Sequence, residues 1–132
     1  MLKLSKKSDY GLLIISKLLG SDEYISLSKL VEDTKLPLRF LARISAVLAH
    51  HGVLASREGR VGGYKIGKRY PLLSVYDFLS IFESDMIMTS CQHDGKTCRF
   101  EKICKHKDHV QKKLHAVILK DLQDVKLSEL FA

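Results

Sequence analysis

Three cysteines, spaced Cys91-x6-Cys98-x5-Cys104, are the only thiols in a chain of 132 residues. An odd number of thiols confined to one short stretch makes a poor disulfide framework and a good metal or cluster site. Gln92, His93, Asp94, Gly95, Lys96 and Thr97, between the first two, are polar and turn-forming, so these cysteines do not read as core packing. Long polar spacers make a loop that can wrap a large object. That points to an iron–sulfur cluster held by three thiolates, as 2Fe–2S or 4Fe–4S. Two other chemistries stay open on the residues alone. One is a structural zinc, although zinc sites usually show a close pair such as C-x2-C. The other is a set of free, redox-active thiols.

The elements that must carry such a site are marked first by charge. The chain has 22 basic and 15 acidic residues and a formal charge of +7. Between Lys35 and Arg69 lie eight of the bases (Lys35, Arg39, Arg43, Arg57, Arg60, Lys65, Lys68 and Arg69) and one acid, Glu58, so this window alone carries the whole excess. A phosphate-backbone binder leaves this footprint. A solvated patch would give the same count, and the pattern beneath it separates the two.

That pattern is helical. Leu12, Leu13, Ile14, Leu18 and Leu19 recur at helical spacing after a cap at Ser8 or a neighbour, and Gly20-Ser21-Asp22 ends this first helix. Ser26 caps a second, short helix, with Ile25 and Leu30 placed as a hydrophobic staple. Thr34-Lys35-Leu36 turns the chain, Pro37 opens a third helix and Gly52 closes it. Two helices joined by so short a turn form the DNA-binding supersecondary unit, whose second helix enters the major groove. In the third helix Leu41, Ile44, Val47 and Leu48, with Phe40 beside them, form a core stripe, and Phe40 also counts with Arg39 and Arg43 as a candidate DNA contact. Arg39, Arg43 and Ala46 fall on another face. Small residues between arginines let the backbone approach base edges, and arginine is the commonest reader of guanine. Val53–Arg57 and Tyr64–Ile66 have strand character around the glycine-rich turn Glu58–Gly63, a two-stranded wing presenting Arg57 and Arg60 to phosphate or the minor groove. The glycine run lacks a nucleotide-binding phosphate-loop pattern and opens no helix.

Downstream, Ser74-x-x-Asp77 is a capping box opening a helix through Val75, Phe78, Leu79 and Phe82. From about Cys104 to Val125 a long helical pattern places Val110, Leu114, Val117, Ile118, Leu122 and Val125 along one stripe. So apolar a final helix is expected to pair with its twin, and palindromic operators suit a two-fold dimer. Met1–Leu19 superficially imitates a secretory leader. Lys17 interrupts its apolar run, no small-residue cleavage site follows and nothing reaches transmembrane length, so the expectation is a cytoplasmic protein without a membrane span.

The opening MLKLSKKSDYGLL, the helix LPLRFLARISAVLAHHGVL, the wing SREGRVGGY and three late cysteines before a helix ending VKLSELF together resemble the Rrf2 family of bacterial winged-helix regulators, over almost the full chain. The family includes Isc-type regulators of iron–sulfur cluster assembly, the nitric-oxide-sensing NsrR type and SUF-system regulators. The resemblance implies a homodimer that binds a double-stranded DNA operator and holds a cluster on three cysteines and a fourth, non-cysteine ligand. Cys91, Cys98 and Cys104 match the three positions, with a first spacer one residue longer than in Isc-type members. The Isc-type histidine position is Lys107 here, flanked by His106 and His109. The NsrR-type aspartate, supplied by the partner subunit, matches Asp9. The resemblance therefore implies Asp9 in trans, with His106, His93 and His109 as the alternatives. Glu58 stands where many relatives carry arginine before the wing glycine, so the operator is expected to differ from theirs.

The architecture expected is mainly α with a small β-wing. A winged helix-turn-helix spans residues 1–83, a cysteine-rich cluster-binding loop 84–104, and a dimerisation helix with a C-terminal tail 105–132. No paired carboxylates, activated nucleophile or phosphate loop stands out, so no enzymatic activity is expected. A small iron–sulfur electron carrier would leave the concentrated charge unexplained. A winged-helix regulator holding zinc would keep the DNA reading and lose the sensing.

Overall fold

The computed structural model describes residues 3–83, 102–104 and 107–132, with side chains of the last segment from residue 112 onward. The described elements, in chain order, are α1 (Lys6–Leu18), α2 (Leu27–Thr34), α3 (Leu38–His50), β1 (Leu54–Arg57), β2 (Gly63–Ile66), α4 (Val75–Phe82) and α5 (Lys107–Asp124), with short 3₁₀ turns at Tyr70–Leu72 and Leu127–Phe131. This is the mainly helical, winged architecture expected from the residue pattern.

Local chemistry sets each boundary. Ser5, three residues ahead of Ser8, caps α1 and accepts from the Ser8 backbone N–H. Ser26 caps α2, accepting from the Lys29 N–H. The turn to α3 passes through Lys35 in the left-handed region at φ 59°, steadied by the Thr34 hydroxyl, which donates to Leu30 O at 2.6 Å and accepts from the Leu36 N–H. Gly52, at φ +76°, ends α3, and the Val53 N–H reaches back to Leu48 O. Ser74 and Asp77 make the expected reciprocal capping box on α4.

One core unites these elements. Ile14, Ile15 and Leu18 of α1, Leu30 of α2, Leu41, Ile44 and Leu48 of α3, and Phe78 and Leu79 of α4 are buried together with Val53, Leu54 and Leu73. Each fully buried side chain of this size contributes roughly 1.5–3 kcal/mol. The helical stripe differs in detail from the expected one. In α1 Ile15 is buried while Leu19 is exposed, and in α3 Ser45 takes an inward position while Val47 lies half-buried on the flank. The Ser45 hydroxyl has no hydrogen-bond partner among the described residues.

The hairpin pairs antiparallel, Leu54 with Ile66 through Arg57 with Gly63. A third segment joins it: Ile25 and Tyr64 exchange both backbone hydrogen bonds at 2.8 Å, tying the α1–α2 loop to the wing. Gly63 makes this approach feasible, because a Cβ there would run into the Ile25 carbonyl. The chain end also returns to the core. Lys126 bridges to Ser74 and Leu127 is completely buried, so the last residues pack beside the start of α4.

Candidate nucleic-acid interface and cysteine region

With Leu41, Ile44, Ser45 and Leu48 of α3 turned inward, the 3.6-residue repeat turns Arg39, Arg43, Ala46 and His50 outward, and all four are exposed. The first turn of α3 holds no acid, so its N-terminal N–H groups and Arg39 add to one positive surface. His50 belongs to this face although the sequence pattern had stopped at Ala46. Its position, eleven after Arg39, is the signal that would have found it. Its ring meets that of His51 edge-on at 5.5 Å.

Phe40 sits differently from the arginines. It is half-buried and packs edge-on against Tyr10 of α1, with ring centroids 5.0 Å apart. With Arg43, Val47, Lys7, Ile81 and Phe82 it borders a cavity of about 140 Å³ where α3 meets α1 and α4. Phe40 thus fixes the reading helix against its scaffold, while Arg39 and Arg43 are exposed, Arg43 at the rim of this cavity.

On the wing, Arg57 and Arg60 are both exposed, at the end of β1 and in the turn that follows. Helix and wing therefore present the expected cations outward from one rigid core. Arg69, a further base of the charged window, is used internally: its guanidinium donates to His51 O at 2.8 Å, bracing the end of α3.

The proposed ligand residues are only partly within the described chain. Cys91, Cys98, His93 and His106 lie outside it, and His109 lies in α5 before the described side chains begin. Cys104 is half-buried just ahead of α5. Among the described residues no cluster of histidine, cysteine and acidic side chains is gathered for a metal. Asp9 is exposed in the first turn of α1, and no described side chain pairs with its carboxylate. Its neighbour Ser8 is fully buried and donates to Glu83 Oε1 at 2.7 Å, while the Ser5 backbone N–H donates to the same oxygen at 2.9 Å. Glu83 thus locks the N-terminus of α1 to the end of α4, one residue before the stretch leading to Cys91. Burial pushes the Glu83 carboxyl up, but these hydrogen bonds outweigh it and leave the group below its ordinary value.

Donor chemistry gives the test of fit for an iron–sulfur cluster. Three thiols within one short stretch, and an exposed carboxylate on α1 without a partner among the described residues, are donor types that suit such a cluster.

Comparison with known proteins agrees with the fold. Residues 4–132 match the model of the Rrf2 family, described as iron-dependent transcriptional regulators. The HTH-type transcriptional regulator CymR of Bacillus subtilis is 24% identical over 123 residues, covering 92% of this chain and 89% of the relative. The HTH-type transcriptional regulator NsrR of Bacillus licheniformis is 25% identical over 120 residues, covering 89% and 84%. The solved structure of CymR, titled the global cysteine regulator of B. subtilis, aligns with a TM-score of 0.73 at 22% identity, covering 98% of this chain and 96% of that one. Matched over residues 4–132, the chain belongs to the Rrf2 family of DNA-binding transcriptional regulators.

Proposed function

We propose that the chain acts as a homodimer that binds a double-stranded DNA operator and senses iron–sulfur cluster status, iron or oxidative and nitrosative stress. Arg39 and Arg43 read base edges in the major groove, and Arg57 and Arg60 of the wing contact phosphate or the minor groove. The observation that carries the DNA reading is the outward stripe Arg39–Arg43–Ala46–His50, opposite a fully buried face of the same helix. Cys91, Cys98 and Cys104 would hold the cluster, with Asp9 of the second copy as fourth ligand. When bound, the cluster supplies redox and ligand-exchange chemistry, and an oxygen donor leaves one iron comparatively labile to nitric oxide, oxygen or iron loss.

The chain's own residues provide the link between sensing and reading. Asp9 stands on the first turn of α1, whose end is held by Ser5, Ser8 and Glu83. Further along the same helix Ile14, Ile15 and Leu18 pack in one core with Leu41, Ile44 and Leu48 of α3. A pull on Asp9 is therefore borne by the helix that seats the reading helix, and the two reading heads of a dimer must keep a spacing of about 34 Å to match successive major grooves.

Purification without oxygen, a visible spectrum, and iron, sulfide and zinc per chain test the sensing half. A brown protein with matched iron and sulfide that loses colour in Cys104→Ser is the expected result, and Asp9→Ala should keep the fold while blunting the response of DNA binding to cluster loss. A colourless protein with about one zinc per chain would leave the DNA reading standing and remove the cluster. The similarity to CymR, titled the global cysteine regulator, favours a second reading in which this chain answers to a cysteine-related signal and holds no cluster. That version predicts neither iron nor sulfide and unchanged DNA binding after chelation.

A further inference from the structure

Tyr24 lies in the loop between α1 and α2, next to Ile25, whose backbone pairs with Tyr64 of the wing. Its half-buried ring is thereby held beside the hairpin. The strand register sets Lys65 opposite Ala55 and Arg57 opposite Gly63, so the two-residue alternation sends Arg57 and Lys65 to one face of the hairpin. Both cations gather on the same ring: Lys65 Nζ is 4.8 Å and Arg57 Cζ 5.7 Å from the Tyr24 centroid. These distances lie within the ~6 Å over which a ring face attracts a cation.

Two positive groups drawn onto one ring repel each other, and neither is ion-paired with a described residue. The ion pairs among the described residues are those of Lys29 with Glu32 and Asp33. The ring pays part of that repulsion; an anion seated between the cations would remove the rest. The space for one is present. Tyr24, Arg57 and Lys65 border an open cleft of about 790 Å³ beneath the wing, together with Arg60, Lys29 and Gly62. Asp22 and Glu23 also border it and pair with none of these cations.

We propose that Tyr24 is a positioning residue for DNA binding: its ring holds Arg57 and Lys65 together as a seat for a backbone phosphate in the cleft beneath the wing. This rests on the DNA-binding reading above and adds Tyr24 and Lys65 to it. Because phosphate contacts are independent of sequence, no operator is needed for the test. Fluorescence anisotropy of the full chain with a labelled random-sequence duplex of roughly three helical turns, across a salt series, measures affinity and the salt slope together. Tyr24→Leu should weaken binding about fivefold and lower the slope by roughly one for each cation released. Tyr24→Phe, which keeps the ring face, should bind like the unmodified chain. In an Arg57→Ala/Lys65→Ala background, Tyr24→Leu should change nothing further, an outcome that a general loss of stability would not give. Should Tyr24→Leu fail to fold, Tyr24→Met asks the same question with similar bulk and no aromatic face. Unaltered affinity and slope in the truncated variants, or the same loss in the double-alanine background, overturns the inference alone. An unmodified chain that binds no duplex at any salt overturns the DNA reading and this inference with it.

Discussion

Arg43 and Glu83 show two ways in which single side chains matter here. Arg43 projects outward from α3 with no acidic partner among the described residues, so its guanidinium is available to a base edge. Arg43→Ala should cost about 1–3 kcal/mol of operator affinity and relax preference at one base pair, read by titrating single-base operator variants. An equal loss on every sequence would assign it to phosphate instead. Glu83 works inward. Its folded carboxyl titrates below the ordinary value, so the stability it contributes is complete above the unfolded carboxylate's pKa of about 4.3 and is lost as pH falls through the lower folded value. Glu83→Gln should therefore lose about 1 kcal/mol at neutral pH, and the gap to the unmodified chain should close as pH falls below about 4. Urea unfolding of both proteins across that range checks it; a gap constant with pH would mean the carboxylate charge is irrelevant.

At the scale of elements, the capping serines, the turn before Pro37 and the Ser74–Asp77 box were legible because each is a local contract between a side chain and a backbone group within four residues. The wing was legible as a hairpin but not as a docked one. Nothing near Ile25 announces that it will pair with Tyr64, 39 positions on. Gly63 is where this docking can be tested. At φ +144° and against the Ile25 carbonyl, Gly63→Ala should cost about 2 kcal/mol or more and speed hydrogen exchange at the Ile25 and Tyr64 amides. Gly59, at φ +107° with open space around it, is the control: Gly59→Ala meets only the backbone penalty, and Ile25 and Tyr64 should stay protected. Equal effects at the two positions would show that the steric approach to Ile25 is unimportant.

For the whole molecule, the apolar stripe of α5 divides into two parts. Toward its end Leu122 and Val125 pack against the core, whereas Leu114 is 43% and Val117 58% exposed. A second copy would cover such a face, left exposed among the described residues. Leu114→Glu with Val117→Glu should convert a dimer to a monomer in sedimentation analysis. The helix content of the chain should barely change in far-ultraviolet circular dichroism, since neither side chain belongs to the core. A dimer that survives both changes would place the interface elsewhere. No described helix is long and apolar enough to cross a membrane.

The amino-acid sequence by itself determined the helix-turn-helix, the outward arginines, the wing's turn and the family, because periodicity, capping and glycine placement act over a few residues and survive without knowledge of neighbours. It also concentrated all the excess charge in one window. Tertiary structure alone decided that Phe40 braces against Tyr10, that Tyr24 sits under two wing cations, that Glu83 holds the capping residue of a helix 78 positions earlier and that Leu127 fills the core. Those four depend on which surfaces meet once the core closes. Contacts between residues far apart in the chain leave no local pattern, so only packing could specify them.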